Sequence, residues 1–254
     1  MRSRKGKYMK KRRNQMIPLC NLYLGNTLNR LNMIIIIIGS IILAVAIYFI
    51  SDPWILNDVY ITSPENYHYA YISQATLVIE LFNIVVLTAL IINLGSQSSG
   101  MDLMFISYIK RRTICICKVL VISIIGLFLI LIEMFIVYLI MFLKFYKFEF
   151  NYLTFINFLS LYLLFLFQTL LGLAISSIHS SIFIPIGYLF SQIIYLVVFT
   201  NNEIVMDKIG YILPWISIDE KSIIYMKNPL TTGVWIISLI FLYINIYNIK
   251  DIKN

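Results

Sequence analysis

The residue types that carry out chemistry in membrane proteins are few in this chain and widely spaced. The two histidines, His68 and His179, do not form a His-Glu-x-x-His zinc-binding pair. The stretch Gly95–Gly100 has the glycine spacing of a phosphate-binding loop, but Met101 and Asp102 follow it where such a loop needs Lys and then Ser or Thr. We therefore expect no catalytic residue, no metal site and no cofactor bound by this chain.

Four polar side chains remain inside long apolar stretches. Thr76, Glu80 and Asn83 follow i, i+4, i+7 spacing, so they share one face of a helix, and Glu133 lies in the next apolar stretch at a similar depth. Polar groups are costly in lipid and usually face protein or a watery cavity. Two interpretations stay open. The four residues line a translocation path, or protonated carboxyls form hydrogen bonds between helices.

The composition determines the kind of fold that must position these side chains. Of 254 residues, 60% are apolar and 13% are charged, with a mean hydropathy of +0.87. Soluble domains have roughly 45–50% apolar and about 25% charged residues, which excludes a water-soluble enzyme. The apolar runs have the length of membrane-crossing helices, not of the strands of a β-barrel. The expected fold is an all-α polytopic membrane protein.

Six apolar runs within residues 33–249 predict six transmembrane helices. Their approximate bounds are 33–50, 73–94, 119–143, 152–175, 182–200 and 229–249. The fifth run carries Pro185 and Gly187 near its start, and membrane helices tolerate both residue types. In the fourth, Gly172 and Ser176 form a small-xxx-small pair that lets another helix approach closely. Before the spans, residues 1–32 comprise a basic arm and an interfacial helix, and residues 201–228 form an outer segment.

The distribution of basic residues predicts the orientation. The flanks shared by the N-terminus, the connection between spans two and three, and the C-terminus carry 15 of the 20 Lys and Arg residues. Cytoplasmic flanks retain such residues, so both termini are expected on the cytoplasmic side of the membrane. Next to a membrane, the basic arm suits anionic lipid and not nucleic acid. Cys20, Cys115 and Cys117 lie on the same side, where thiols stay reduced, and we expect them to be packing residues.

The connection between the second and third spans is the most informative segment. It contains a short apolar helix that cannot cross the membrane, followed by basic residues where the chain re-enters it. Such a helix suits either the bilayer surface or a groove on a cytoplasmic partner, with Phe105 as the anchor.

This layout resembles the type 2 permeases of ABC exporters, in which an interfacial helix precedes the spans and a coupling helix follows the second one. Gln97 stands where that family commonly has an acid, and no Pro precedes the arginines. The element Ile212–Trp215 looks like the Leu-Pro-aromatic element of these permeases, in a region that dips back into the membrane. The resemblance implies ATPase-coupling roles for Gly100, Asp102, Leu103, Phe105, Arg111, Arg112 and Lys118.

The resemblance also implies partners and a substrate class. The chain would be a permease subunit that pairs with a second copy or a sister permease and with two cytoplasmic ATPases, which bind ATP and Mg²⁺. Its composition resembles that of Gram-positive permeases that export antimicrobial and amphipathic peptides or confer immunity to them. A lipid-linked glycan, a drug or an ion remains an alternative substrate, and a non-transporting scaffold or sensor subunit remains an alternative function. A stand-alone secondary carrier would require inverted repeats.

Overall fold

The structure is a computed structural model that describes residues 16–50, 64–96, 109–145, 152–178, 183–200 and 228–249, together with Pro214 and two short strands. The basic arm at 1–15 and the predicted coupling segment at 97–108 lie outside the described residues. Gly100, Asp102, Leu103 and Phe105 therefore have no structural description here.

The described residues form seven helices, each built from one of the apolar or amphipathic runs. They are α1 (residues 16–27), α2 (Arg30–Ile50), α3 (Pro64–Ser96), α4 (Arg111–Phe145), α5 (Tyr152–Ile178), α6 (Phe183–Thr200) and α7 (Pro229–Ile249). Helix α4 begins eight residues before the predicted span at 119–143, so the basic residues of the re-entry point form its first turns. The last predicted span and α7 have identical bounds.

Five of the helices are long and apolar enough to cross a membrane. The crossing portions are Asn32–Ile50, Gln74–Gly95, Arg111–Lys144, Phe155–Ile178 and Pro229–Ile249. The prediction of a polytopic helical membrane protein is thus confirmed. Helix α6 corresponds to the predicted fifth span, but its side chains are described only over Phe183–Ile194, which is shorter than a crossing. A sixth crossing stays a prediction.

Hydrogen bonds at the two ends of α3 and α4 fix the relative direction of these helices. The Tyr71 hydroxyl, near the start of α3, donates to the Val137 carbonyl near the end of α4 at 2.9 Å. At the opposite ends, the Lys118 ammonium of α4 donates to the Leu94 carbonyl of α3, also at 2.9 Å. Helices α3 and α4 are therefore antiparallel, as consecutive membrane crossings must be.

Helix α5 lies at the centre of the bundle, where it contacts α3, α4, α6 and α7. Two glycines allow this close packing. A methyl group added at Gly126 of α4 would lie 2.5 Å from the Phe165 ring of α5, and one added at Gly172 of α5 would overlap Ile91 of α3. By contrast, α2 is peripheral and is buried mainly along a narrow stripe that includes Leu43 and Ile47.

A short hairpin between α6 and α7 departs from the all-α prediction. Strands β1 (Ile216–Ile218) and β2 (Ile224–Met226) pair antiparallel and pack against α5. Each strand has only three residues, which is shorter than the four to eight alternating residues that identify a strand in a sequence. The re-entrant path of residues 201–228 stays a prediction.

Candidate functional site

The four predicted path residues lie inside the bundle. Thr76, Glu80, Asn83 and Glu133 are 3%, 8%, 4% and 0% exposed, respectively. The side-chain amide of Asn83 donates to Glu133 Oε2 at 3.1 Å and so joins α3 to α4. Asn83 is nine residues from Gln74 and twelve from Gly95, which places it ~14 and ~18 Å from the ends of its crossing portion. The bond therefore lies near the middle of the crossing portion of α3.

The sequence interpretation placed Glu80 and Glu133 at a similar depth, whereas the structure pairs Glu133 with Asn83. Glu80 precedes Asn83 by three residues, about one helical turn, on the same face of α3. The Thr76 hydroxyl donates to the Ile72 carbonyl of its own helix at 2.7 Å. Of the four residues, Asn83 and Glu133 form the interhelical contact.

This contact leaves two buried oxygen atoms without a hydrogen bond. Asn83 Oδ1 and Glu133 Oε1 have no partner among the described residues. Each unsatisfied buried polar group costs about 1–3 kcal/mol, and native structures contain few of them. Two unpaired oxygens in one contact distinguish this pair among the described residues and mark it as the candidate site within the spans.

A second polar centre surrounds Lys118. Its side chain is 1% exposed, and its ammonium group lies 5.4 Å from the ring centroids of both Tyr23 and Tyr247 while it donates to the Leu94 carbonyl. Cations over aromatic faces at such distances are attracted by about 0.5–2 kcal/mol each. We call the part of the bundle formed by Tyr23, Leu94, Arg111, Lys118 and Tyr247 the Lys118 end.

The Lys118 end changes how the predicted coupling residues are understood. The ammonium group of Lys118 binds inside the chain, so a direct contact with an ATPase would require it to leave this site. Arg111 donates to the Asn248 carbonyl of α7 at 3.2 Å, a favourable place for a cation because helix C-termini are partially negative. Arg112 is exposed next to it. Sequence reasoning did not identify Tyr23 and Tyr247, whose only signal was an aromatic residue in an amphipathic or apolar run.

Helix α1 has the two-sided surface of an interfacial helix. Leu19, Tyr23 and Thr27 are buried, whereas Ile17 and Leu22 are exposed. It packs against α4 near Lys118, where the Cys117 thiol donates to the Met16 carbonyl at 3.6 Å.

The predicted helix-packing pair lies where α3 and α5 approach each other. Gly172 faces Ile91, and four residues later the Ser176 hydroxyl oxygen lies 3.0 Å from the position that a methyl group on Gly95 would take. Because Ile91 and Gly95 are also four residues apart, the two helices meet in register and run parallel. The contact holds α5 beside the helix that carries Asn83.

At the opposite end of the bundle, Lys144 joins the end of α4 to the end of α2. Its ammonium group donates to the Tyr48 carbonyl at 2.7 Å and lies 4.1 Å from the Tyr48 ring centroid.

Tyr71 lies outside the crossing portion of α3, and its burial, together with the nearby Tyr138, raises the pKa of its hydroxyl well above the ordinary value.

Among the described residues, no group of three or more His, Cys, Asp or Glu side chains is placed to hold a metal ion. Comparison of the chain with protein-family models and with curated proteins finds no match.

Proposed function

We propose that this chain is the transmembrane permease subunit of an ATP-driven exporter, whose ATP and Mg²⁺ are bound by two separate cytoplasmic ATPase subunits. The observation that carries the proposal is the Lys118 end, where one buried lysine joins the two helices flanking the segment 97–108 to α1 and α7. This arrangement would transmit a force that a partner applies to the segment 97–108 to four helices of the bundle.

The contacts of Lys118 indicate how such a push would spread. Leu94 lies two residues before the end of α3, and Lys118 lies in the second turn of α4. A displacement of the connecting segment would move both helices together, since the Leu94–Lys118 bond ties them. The rings of Tyr23 and Tyr247 would carry the movement to α1 and α7. In the proposed cycle, ATP-driven closure of the partners presses on Phe105 and tilts α3 and α4 toward an outward-facing state.

The proposed topology places the Lys118 end in the cytoplasm. It lies beside the flanks that carry 15 of the 20 basic residues, which favours the cytoplasmic side. With α6 as the sixth crossing, both termini are cytoplasmic in a bacterial plasma membrane.

The apolar surface of the single chain supports assembly with a second permease. Only 11% of the crossing portion of α2 and 28% of that of α7 is buried within the chain. Lipid and a second copy or sister permease would share this surface. We propose the pair of permeases as the transporting unit.

We propose an amphipathic or antimicrobial peptide as the substrate. Glu80 and Glu133 are the only Asp, Glu, Lys or Arg residues in the predicted spans, and 15% of the chain is aromatic, which suits an amphipathic molecule that enters from the bilayer. Peptide susceptibility of cells with and without the protein tests this substrate. Unchanged susceptibility, with transport of a glycan, drug or ion, would replace the substrate and leave the exporter mechanism in place.

The decisive experiment is co-purification of the tagged chain from its native membranes, with measurement of bound nucleotide hydrolase activity. We expect Phe105→Asp to weaken ATPase recovery about 30-fold, because removing an aromatic anchor costs about 2 kcal/mol or more and 1.4 kcal/mol is tenfold in affinity. Ser98→Asp places the same charge in the same segment and keeps the anchor, so it serves as the matched control with near wild-type recovery.

Two results would contradict the proposal. Assembly and transport that survive Phe105→Asp would remove the coupling role of the segment. A chain that co-purifies with no nucleotide hydrolase and leaves every tested export unchanged would favour a scaffold or sensor subunit.

A further inference from the structure

We propose that Asn83 and Glu133 form a proton-binding site in the middle of the membrane, in which a proton on Glu133 Oε1 is donated to Asn83 Oδ1. The evidence for this site is the number of hydrogen-bond donors and acceptors on the two side chains, and it does not depend on the proposed export function. Asn83 already donates to Glu133 Oε2, and the two remaining oxygens belong to the same two side chains.

The two remaining oxygens cannot satisfy each other without a proton. An ionised carboxylate only accepts hydrogen bonds, and the amide oxygen of Asn also only accepts. One proton converts Glu133 Oε1 into a donor. The acid and the amide then form a ring of two hydrogen bonds, with the amide donating to Oε2 and the acid donating to Oδ1. A single bound proton thus satisfies both oxygens that the structure leaves unpaired.

A metal cation suits this site less well than a proton. Hard divalent cations such as Ca²⁺ and Mg²⁺ take about six or more oxygen ligands. The described pair offers two unpaired oxygens, and the described residues provide no cluster of three or more acidic, His or Cys side chains. A proton needs one oxygen that binds it and a second oxygen that accepts its hydrogen bond, and Glu133 Oε1 and Asn83 Oδ1 supply these two.

The charges around Glu133 also favour a neutral acid. On α4 itself the nearest basic residues are Lys144, ~16 Å away along the helix, and Lys118, ~22 Å away. Both ammonium groups are engaged elsewhere, with Tyr48 and with Leu94. A carboxylate that is 0% exposed and has no cation beside it would carry a desolvation penalty of several kcal/mol.

The helices packed against α4 add no compensating cation. The crossing portions of α2, α5 and α7 contain no Asp, Glu, Lys or Arg, and that of α3 contains only Glu80, a second acid. The remaining titratable side chains on these elements include tyrosines whose hydroxyls are committed to carbonyls, as Tyr71 is to Val137 and Tyr162 is to Ser123. A proton is therefore the available source of neutralisation for Glu133.

Infrared spectroscopy of the full chain in dodecyl maltoside, a detergent without a carbonyl group, tests the site directly. At neutral pH we expect the carbonyl band of a protonated carboxylic acid, with an intensity of one group lost in Glu133→Gln. In Asn83→Leu the band should persist and shift in frequency, because the acid loses its amide partner. Glu80→Gln is the matched control: it removes the other buried carboxyl and should leave the Glu133 band in place.

Thermal unfolding gives a second measurement that does not depend on the infrared band. Gln at position 133 can keep both hydrogen bonds, with its amide in place of the acid, so Glu133→Gln should unfold close to the wild-type temperature. Glu133→Leu strands the Asn83 amide and should unfold at a clearly lower temperature or fail to fold. If Glu133→Leu does not fold, the unfolding temperature of Glu133→Gln relative to wild type still tests the site.

Three outcomes would overturn the site. One is an infrared spectrum in which no carboxylic acid band of the wild type is lost in Glu133→Gln. Another is a loss of thermal stability in Glu133→Gln as large as that in Glu133→Leu. The third is an unfolding temperature of the wild type that rises with sodium or calcium concentration and no longer does so in Glu133→Gln, which would assign the site to a metal ion.

Discussion

The contact of Gly172 with Ile91 and Tyr188 allows a stability prediction with a defined sign. In Gly172→Ala, the added methyl group overlaps Ile91 Cδ1 and lies 2.9 Å from Tyr188 Cε1. Ile91 is 0% exposed, and the Tyr188 hydroxyl donates to the Gln168 carbonyl at 2.7 Å, so neither neighbour can withdraw freely. Overpacking of this kind costs about 1–3 kcal/mol.

The same substitution also favours the helix, and this gain must be subtracted. Replacing Gly by Ala inside a helix stabilises it by about 1 kcal/mol. Gly233→Ala in α7 receives that gain alone, because nothing lies within 4 Å of its added methyl group. We therefore expect Gly172→Ala to be less stable than Gly233→Ala by about 1–3 kcal/mol, a difference of roughly 2–12 °C in unfolding temperature at about 2–4 °C per kcal/mol.

Thermal unfolding of both variants in detergent measures this difference, and Ile91→Val tests its cause. That substitution removes Cδ1, the atom that the new methyl group would overlap, at a cost of about 0.5–1.5 kcal/mol. In the Ile91→Val background, the cost of Gly172→Ala should fall by about 0.5 kcal/mol or more, as for residues in direct contact. Equal stabilisation by Gly172→Ala and Gly233→Ala, or an unchanged cost in the Val background, would refute the close approach of α3 and α5.

Two further predictions concern the Lys118 end. Cys117 lies beside the Cys20 side chain, so copper phenanthroline with dissolved oxygen should link the two thiols, and peptide mass spectrometry should detect the product. The Cys20–Cys117 disulfide should be absent from Cys20→Ser and Cys117→Ser and retained in Cys115→Ser. Its absence from the wild type would contradict the docking of α1 on α4. In a background without native cysteines, Arg112→Cys should react with an impermeant maleimide only after the cells are opened. Leu230 lies at the other end of the bundle and is 83% exposed, so Leu230→Cys should react in intact cells. The reverse pattern would invert the proposed topology.

Hydropathy in the sequence identified most of the helical framework. A membrane-crossing helix satisfies its backbone hydrogen bonds within one continuous segment, so about 20 apolar residues are enough to indicate it. The last predicted span coincides with α7, and the third lies within α4. The hairpin escaped prediction because three-residue strands are stabilised by pairing with each other and not by a local pattern.

For the candidate site, the sequence determined which polar residues lie in the membrane but not which of them meet. Helical spacing put Thr76, Glu80 and Asn83 on one face, whereas only the packing of α3 against α4 selected Asn83 as the partner of Glu133, fifty residues away in the chain. Packing also turned Lys118 inward, toward rings on α1 and α7. The physical reason is that hydropathy and helical periodicity are properties of one segment, whereas a contact between side chains depends on the rotation and depth of two helices.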